Sequence, residues 1–132
     1  MSGHGLPVDP ERVAAARQAQ LPPGEAESLG ALVTLLADPL RARILIALLA
    51  AEELCVGDIA LALGANEDAV SYGLRLLRTA GLVVRRREGR MGYYRLRDGD
   101  KHDALAAALG HLRALAGLNL ELRDISGVAR LR

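Results

Sequence analysis

Residues 58–97 limit the possible folds more than any other part of the 132-residue chain. A short apolar helix over 59–63 is expected to begin with Asp58 as its N-cap. It would end at Gly64, because glycine tolerates the left-handed backbone that often follows a helix. A second helix is expected to begin at Glu67 or Asp68. Two short helices joined by a tight glycine-containing turn predict a helix-turn-helix.

The second helix of this motif is expected to close at Ala80-Gly81. Its inward face carries apolar residues at helical spacing: Val70, Leu74 and Leu77. Gly73 lies in mid-helix, where glycine costs roughly 1 kcal/mol relative to alanine. It either permits a close approach of the backbone to a ligand such as DNA or is simply tolerated.

A β-hairpin is predicted directly after the helix-turn-helix. Two extended segments, 82–87 and 91–97, flank Glu88-Gly89-Arg90, where glycine can supply the positive φ of a hairpin turn. Such a hairpin is the wing of a winged helix-turn-helix. Because side chains alternate along a strand, the arginines of this wing cannot all face the same way.

Helical patterns continue on both sides of the motif. Asp9-Pro10 and Asp38-Pro39 each combine an N-cap residue with proline at the first helical position. From about Lys101 onward, leucines at three- and four-residue steps form a narrow stripe suited to a dimer seam: Leu105, Leu109, Leu112 and Leu115.

The composition favours packed helices. Apolar residues make up 51 % of the chain, yet it has three tyrosines and neither Phe nor Trp. A small core of aliphatic residues gains from burial against a second copy of the chain. We therefore expect a mainly α, dimeric winged helix-turn-helix with a β-hairpin wing.

Three segments are expected along the chain: an N-terminal arm with the first helix (1–24), the winged domain with a C-terminal dimerisation helix (25–117) and a tail (118–132). No apolar run approaches the ~20 residues of a membrane span, and no signal-peptide layout is visible. The single cysteine cannot form an internal disulfide, which agrees with a reducing compartment. The expected location is the cytoplasm, with no membrane partner.

The charge distribution points to nucleic acid, although the net charge is only +1. Residues 55–97 carry eight basic and four acidic groups, whereas residues 1–54 carry four basic and seven acidic groups. A local basic excess is the footprint expected for binding phosphate. We predict DNA contacts on the second helix and near the wing tip: Ser71, Tyr72, Arg75, Arg86 and Arg90.

Several stretches resemble the ArsR/SmtB family of bacterial metal-responsive repressors. They are LLADPLR (35–41), ELCVGDIA (53–60), AVS with LR (69–75) and GLV through EGR to YY (81–94). The resemblance implies a winged-helix homodimer whose first and last helices form the interface. It further implies that the apo-protein represses an operator and that inducer lowers DNA affinity. Where the family usually has His then Gln or His after the serine matched by Ser71, this chain has Tyr72 and Gly73.

The resemblance implies two places for a metal ion. At the first, Cys55 and Asp58 match, with further ligands from the partner's N-terminal arm. Gly57 stands where many relatives that sense arsenic or large soft cations have a second cysteine, so we do not expect arsenic sensing. If Met1 is removed, the arm would begin Ser2-Gly3-His4, whose amine, amides and imidazole suit Cu(II) or Ni(II); alternatively, His4 could reach Cys55 and Asp58 across the dimer. Alternatively, His4 belongs to a functionless terminus and Cys55 is a small buried hydrophobe.

The second place implied is the last helix, where the family has Asp-x-His followed by His-x-x-Glu. Asp98 and His111 match without gaps, but Asp100 replaces the first His and Ala114 the Glu. A two-residue shift restores Asp-x-His as Asp100 and His102 but breaks the spacing to His111. The four oxygen and nitrogen donors suit Zn, Ni or Co: Asp98, Asp100, His102 and His111. Alternatively, Asp98 caps the helix and the others form a solvated helix start.

Together these observations predict a sequence-specific DNA-binding repressor whose operator affinity is modulated by a transition-metal ion, with Ni, Zn or Co ahead of Cd, Cu or As. The alternative is a winged-helix regulator that ignores metal and answers to a protein partner or another signal. A non-DNA dimerisation module would be excluded by salt-dependent binding to duplex DNA. An enzyme with Cys55 as nucleophile is not expected, because His102 and His111 lie on a separate helix.

Overall fold

The computed structural model describes residues 5–118, so His4 and the predicted tail beyond Leu118 lie outside the described part. Two compact units divide the chain, the first ending at Thr34 and the second beginning at Leu35. In chain order, the described elements are α1 (Pro10–Gln18), α2 (Glu25–Ala37), α3 (Pro39–Ala51), β1 (Leu54–Cys55), α4 (Val56–Leu63), α5 (Glu67–Thr79), β2 (Val83–Glu88), β3 (Met91–Leu96) and α6 (Asp100–Leu118).

Side-chain caps define the starts of three helices. Asp9 accepts a hydrogen bond from the backbone N–H of Arg12, and Asp38 accepts one from Arg41, each at 3.0 Å. Asn66 caps α5 in the same manner, and the helix begins at Glu67, the first of the two predicted starts. These bonds satisfy N–H groups that have no partner inside the helix. The two aspartate-proline helix starts are confirmed.

The helix-turn-helix consists of α4 and α5. Gly64 ends α4 with a φ of 61°, as its predicted turn requires. The prediction that Asp58 caps the first helix is wrong, because α4 begins at Val56 with Cys55 in the N-cap position. The reason is that Cys55 pairs with Tyr93 in the sheet, which directs the chain into the helix earlier. Asp58 lies in the first turn, where a negative charge favours the helix.

The three-stranded sheet has the order β1-β3-β2, and both pairs are antiparallel. In the wing, Val83 lies opposite Leu96 and Glu88 opposite Met91, with Gly89 in the turn at a φ of 62°. The predicted hairpin is confirmed. β1 has no sequence signal, because two residues are too short to show an alternating pattern.

The core of the second unit is aliphatic, and its fully buried side chains are Ile44, Leu45, Leu48, Ile59, Val70, Leu74, Leu77 and Val83. The predicted inward face of α5 is thus confirmed. Gly73 is also buried, and a Cβ there would lie 3.1 Å from Cδ1 of Ile44. Gly73 therefore allows α5 to pack closely on α3. The interpretation that it permits a close approach to DNA is wrong.

The leucine stripe of α6 divides into two halves. Leu105 and Leu109 are 7 % and 5 % exposed and belong to the core of their own chain. Leu112 and Leu115 are 50 % and 60 % exposed. The prediction of a dimer seam is therefore wrong for the first half, because those leucines already cover the chain's own core. None of the helices within residues 5–118 combines the length and hydropathy that crossing a bilayer requires.

The first unit contains α1 and most of α2. α1 buries none of its residues, and α2 also has no buried residue. The large apolar side chains of α2 that stay exposed within one chain are Leu29, Leu32 and Val33.

Candidate nucleic-acid interface

The outward face of α5 carries the three predicted DNA contacts of the recognition helix. Tyr72 is 55 % exposed, Arg75 is exposed and Ser71 is half-buried. The guanidinium carbon of Arg75 lies 5.9 Å from the centre of the Tyr72 ring, within the range of a cation–π attraction. This face therefore offers a guanidinium and two hydroxyl groups to a ligand, while the opposite face packs in the core.

The wing has two faces, because side chains alternate along its strands. We call inner face the one whose base, Val83 and Leu96, is buried in the core. Arg85 and Arg87 continue this face toward the tip, and Arg85 lies over the ring of Tyr94 at 5.9 Å. Both arginines are exposed and form no ion pair with any residue between 5 and 118.

The other side of the wing, the outer face, pairs its arginines. Nε of Arg86 lies 2.9 Å from each carboxylate oxygen of Glu53, and the guanidinium stands 4.7 Å from the centre of the Tyr93 ring. Arg95 donates to Oδ2 of Asp98 at 2.7 Å. The predicted contact Arg86 is therefore held within the protein.

A cleft of about 200 Å³ lies between the wing and the helix-turn-helix. Arg85 and Arg90 line it from the wing, and Glu67 lines it from the first turn of α5. Arg90 is exposed at the hairpin turn. The wing thus brings two guanidinium groups beside the start of the predicted recognition helix.

The predicted contacts include Arg86 but not Arg85 or Arg87, the exposed arginines of β2 that form no ion pair within residues 5–118. A usable signal was present at Val83, the apolar residue that begins the strand. An apolar residue at the base of a strand marks the inward side, and residues two and four positions later share that side. Glu53 carried no such signal, because its contact with Arg86 depends on the pairing of β1.

The first pair of candidate metal ligands differs in accessibility. Cys55 is 7 % exposed, where it occupies the N-cap position of α4 and lines the cleft, whereas Asp58 is exposed in the first turn. A buried thiol in this position agrees with the alternative that Cys55 is a small core residue.

The donors of the last helix are accessible but separate. Asp98 is bonded to Arg95, and Nδ1 of His102 lies 3.4 Å from Asp103. Asp100 and His111 are exposed. Within residues 5–118 of one chain, no three His, Cys, Asp or Glu side chains are grouped closely enough to hold a metal ion. One described chain alone therefore does not assemble the predicted site.

Comparison of the sequence with known proteins gives a consistent result. A sequence profile described as "Bacterial regulatory protein, arsR family" matches residues 38–84. The "Transcriptional repressor SmtB homolog" of Synechocystis sp. is 42 % identical over 89 residues, which are 67 % of this chain and 67 % of that protein. The cadmium resistance regulatory protein CadC homolog of Staphylococcus aureus is 34 % identical over 83 residues, 63 % of this chain and 69 % of that protein.

Solved structures agree with the fold. The homodimeric winged helix-turn-helix DNA-binding domain Mb0332 from Mycobacterium bovis is similar, with a TM-score of 0.61 and 30 % identity. The similarity covers 78 % of this chain and 94 % of that one. The helix-turn-helix and hairpin described above are therefore a winged helix-turn-helix.

Proposed function

This chain belongs to the arsR family of bacterial regulatory proteins and is a DNA-binding transcriptional regulator, and we propose that it represses an operator as a homodimer under the control of a transition-metal ion. The family consists of regulators and not of enzymes. A regulator of this kind acts where the chromosome lies, so we place it in the cytoplasm.

The observation that carries DNA binding is a set of exposed arginines on α5 and the wing that form no ion pair within the described residues: Arg75, Arg78, Arg85, Arg87 and Arg90. Each can replace a condensed counterion on a phosphate, and counterion release supplies much of the affinity for DNA. We propose that Ser71, Tyr72 and Arg75 enter the major groove and that Arg90 binds phosphate beside it.

The proposed dimer rests on apolar surface that one chain leaves uncovered. On α6 this surface is Leu112 and Leu115, and on α2 it includes Leu29 and Val33. Exposed apolar side chains repeated along one helix mark an interaction surface. The homodimeric structure of the Mycobacterium bovis relative supports a second copy of this chain as the partner.

The proposed metal site depends on that dimer. His102 and His111 lie nine residues apart on α6 and are thus separated by about 13 Å along the helix axis. A zinc–nitrogen bond is only about 2.0–2.1 Å, so one ion cannot bind both imidazoles of one chain. His111 of one copy would meet Asp98, Asp100 or His102 of the other. The ion would then link the two α6 helices. If Asp98 is a ligand, the ion competes with Arg95 for its carboxylate.

Zn, Ni and Co suit this set of oxygen and nitrogen donors better than arsenic or cadmium, which favour thiolates. Cys55 with Asp58 is the second candidate site. With a single cysteine, it too needs donors from a partner or from residues outside 5–118, such as His4.

The test is fluorescence anisotropy of labelled duplexes from the DNA upstream of its own gene, with Zn, Ni, Co, Cd and Cu added in turn. At least one ion should change operator affinity by about tenfold, within the usual range of allosteric coupling. His111→Ala should remove the metal effect and keep the affinity of the metal-free protein. Cys55→Ser is the matched variant for the other site and should leave the response intact.

The second candidate function is a regulator that ignores metal. The observation in its favour is that residues 5–118 of one chain group no three potential ligands. If no ion changes the binding of wild-type protein to its operator, this second function replaces the first, and DNA binding itself is unaffected by that outcome.

A further inference from the structure

We propose that Arg86 and Glu53 form a wing staple with Tyr93, which orders the hairpin before DNA is bound, and that Arg86 positions the wing without contacting phosphate. The proposal rests on the proposed contact of the wing with DNA through Arg90. The staple joins β2 to the residue before β1 across the ring of Tyr93 on β3.

Arg86 and Glu53 form a bidentate ion pair. Nε of Arg86 lies 2.9 Å from both oxygens of Glu53, and Nη2 lies 2.8 Å from one of them. The centre of the Tyr93 ring lies 4.7 Å from the guanidinium carbon of Arg86, and the ring limits the orientation of the guanidinium. Bidentate arginine–carboxylate pairs are more specific in direction than a pair of point charges. Arg86 is thus aimed along the sheet toward Glu53.

The backbone before β1 also fixes the position of Glu53. Glu52 has a φ of 69° and a ψ of −57°, and the N–H of Glu53 donates to the carbonyl of Ala51 at 2.8 Å. This three-residue turn is strained and rare outside glycine. It is the only positive φ of a non-glycine residue within residues 5–118. The turn directs the chain from α3 into β1 with the Glu53 carboxylate facing the wing.

The outer part of the wing depends on the Arg86–Glu53 contact for order. Beyond Val83, the residues of β2 leave the buried core. Among the described residues, β1 pairs with β3 no further toward the tip than Tyr93, so the tip at 87–92 is a two-stranded ribbon. A two-stranded ribbon without further packing is marginally stable in water. An exposed ion pair adds little to global stability, so the value of the staple lies in local order. A wing that is ordered beforehand loses less conformational entropy on binding.

Operator affinity distinguishes a positioning residue from a phosphate contact. The variants are Glu53→Gln, Arg86→Gln and the double variant, with Glu52→Gln as the matched change of charge one residue away. The staple predicts that each single variant binds operator about fivefold more weakly and that the double variant is no weaker than either. Glu52→Gln should change affinity by less than about twofold. Arg86→Lys, which keeps the charge but not the fork, should behave like Arg86→Gln.

A direct phosphate contact predicts a different pattern. Glu53→Gln would then bind as well as wild type or better, because it removes a competing carboxylate. Arg86→Gln alone would reduce the slope of log K against log salt by about 0.9. Either result overturns the proposal. In a background in which the unpaired wing arginines Arg85, Arg87 and Arg90 are all changed to Gln, breaking the staple should change affinity by less than about twofold, and a full fivefold loss there would also overturn it.

Amide hydrogen exchange of the protein without DNA keeps this test separate from the proposed function. The staple predicts faster exchange at the wing pair of Glu88 and Met91 in Glu53→Gln, with unchanged exchange in the core helix α5. Equal wing exchange in wild type and Glu53→Gln contradicts the staple, even if operator binding fails for another reason.

Discussion

The two faces of the wing carry the same residue type in opposite electrostatic settings. On the inner face, Arg85 and Arg87 are exposed and form no ion pair within the described residues. On the outer face, Arg86 and Arg95 are paired with carboxylates. An arginine that already has a carboxylate partner must give it up before it can neutralise a phosphate. The number of basic residues on a strand is therefore a poor measure of its capacity for DNA.

The base of the inner face should dominate the stability of the wing. Leu96 is 3 % exposed there, whereas Val84 is half-buried on the outer face. Leu96→Ala should lower the free energy of unfolding by about 3 kcal/mol, because it leaves a cavity in the core. Val84→Ala should cost less than about 1 kcal/mol. Urea denaturation at one protein concentration measures both losses of stability. Equal losses would contradict the prediction that the inner face contributes more to stability than the outer face.

The inner face should also dominate the electrostatics of DNA binding. Arg85→Gln should reduce the salt slope of operator binding by about 0.9, the loss of one phosphate contact. Arg95→Gln removes the same charge from the outer face and should leave the slope unchanged, because Arg95 is bonded to Asp98. Anisotropy titrations at several salt concentrations give these slopes. The comparison fails if Arg95→Gln reduces the slope as much as Arg85→Gln does.

Gly92 allows Arg85 to lie flat on the inner face. A Cβ at Gly92 would lie 2.7 Å from Nε of Arg85, so Gly92→Ala must displace that flexible side chain. We expect operator affinity to fall about two- to threefold, because the guanidinium of Arg85 is displaced. The free energy of unfolding should rise by about 0.5 kcal/mol, because alanine loses less entropy in a strand than glycine does. A loss of stability with unchanged affinity would contradict this account of Gly92.

The outer face should respond to acid through Glu53. The hydrogen bond from Arg86 holds the pKa of Glu53 below its ordinary value of 4.5. A lowered folded-state pKa means that the contribution is complete above 4.5 and is lost as pH falls through the folded-state value. The difference in stability between wild type and Glu53→Gln, small because the pair is exposed, should thus be present at neutral pH and vanish in acid. Urea denaturation of both proteins from neutral pH to acid tests this prediction. A stability difference that persists in acid would show that ionised Glu53 is not its cause.

Local signals were sufficient for most of the fold. Asp-Pro pairs mark two helix starts, Gly64 marks the turn, and Gly89 marks the hairpin, because each rule depends only on neighbouring residues. The failures came from tertiary contacts. Pairing of Cys55 with Tyr93 moved the start of α4 away from Asp58.

The same division applies to the candidate site. The exposed face of α5 follows from helical periodicity, so Tyr72 and Arg75 could be placed from sequence. The pairing of Arg86 with Glu53 joins residues 33 positions apart and has no local pattern. Likewise, periodicity revealed four leucines on α6 but not that Leu105 and Leu109 cover the chain's own core.

The central claim is that metal and operator are coupled through one dimer, and thermodynamic reciprocity tests it most directly. An ion that weakens operator binding by a given factor must bind the operator complex more weakly than the free protein by the same factor. We therefore predict that Zn²⁺ or Ni²⁺, titrated by calorimetry into the protein with and without saturating operator, binds the complex about tenfold more weakly. Equal affinities for the free protein and the complex would contradict the claim.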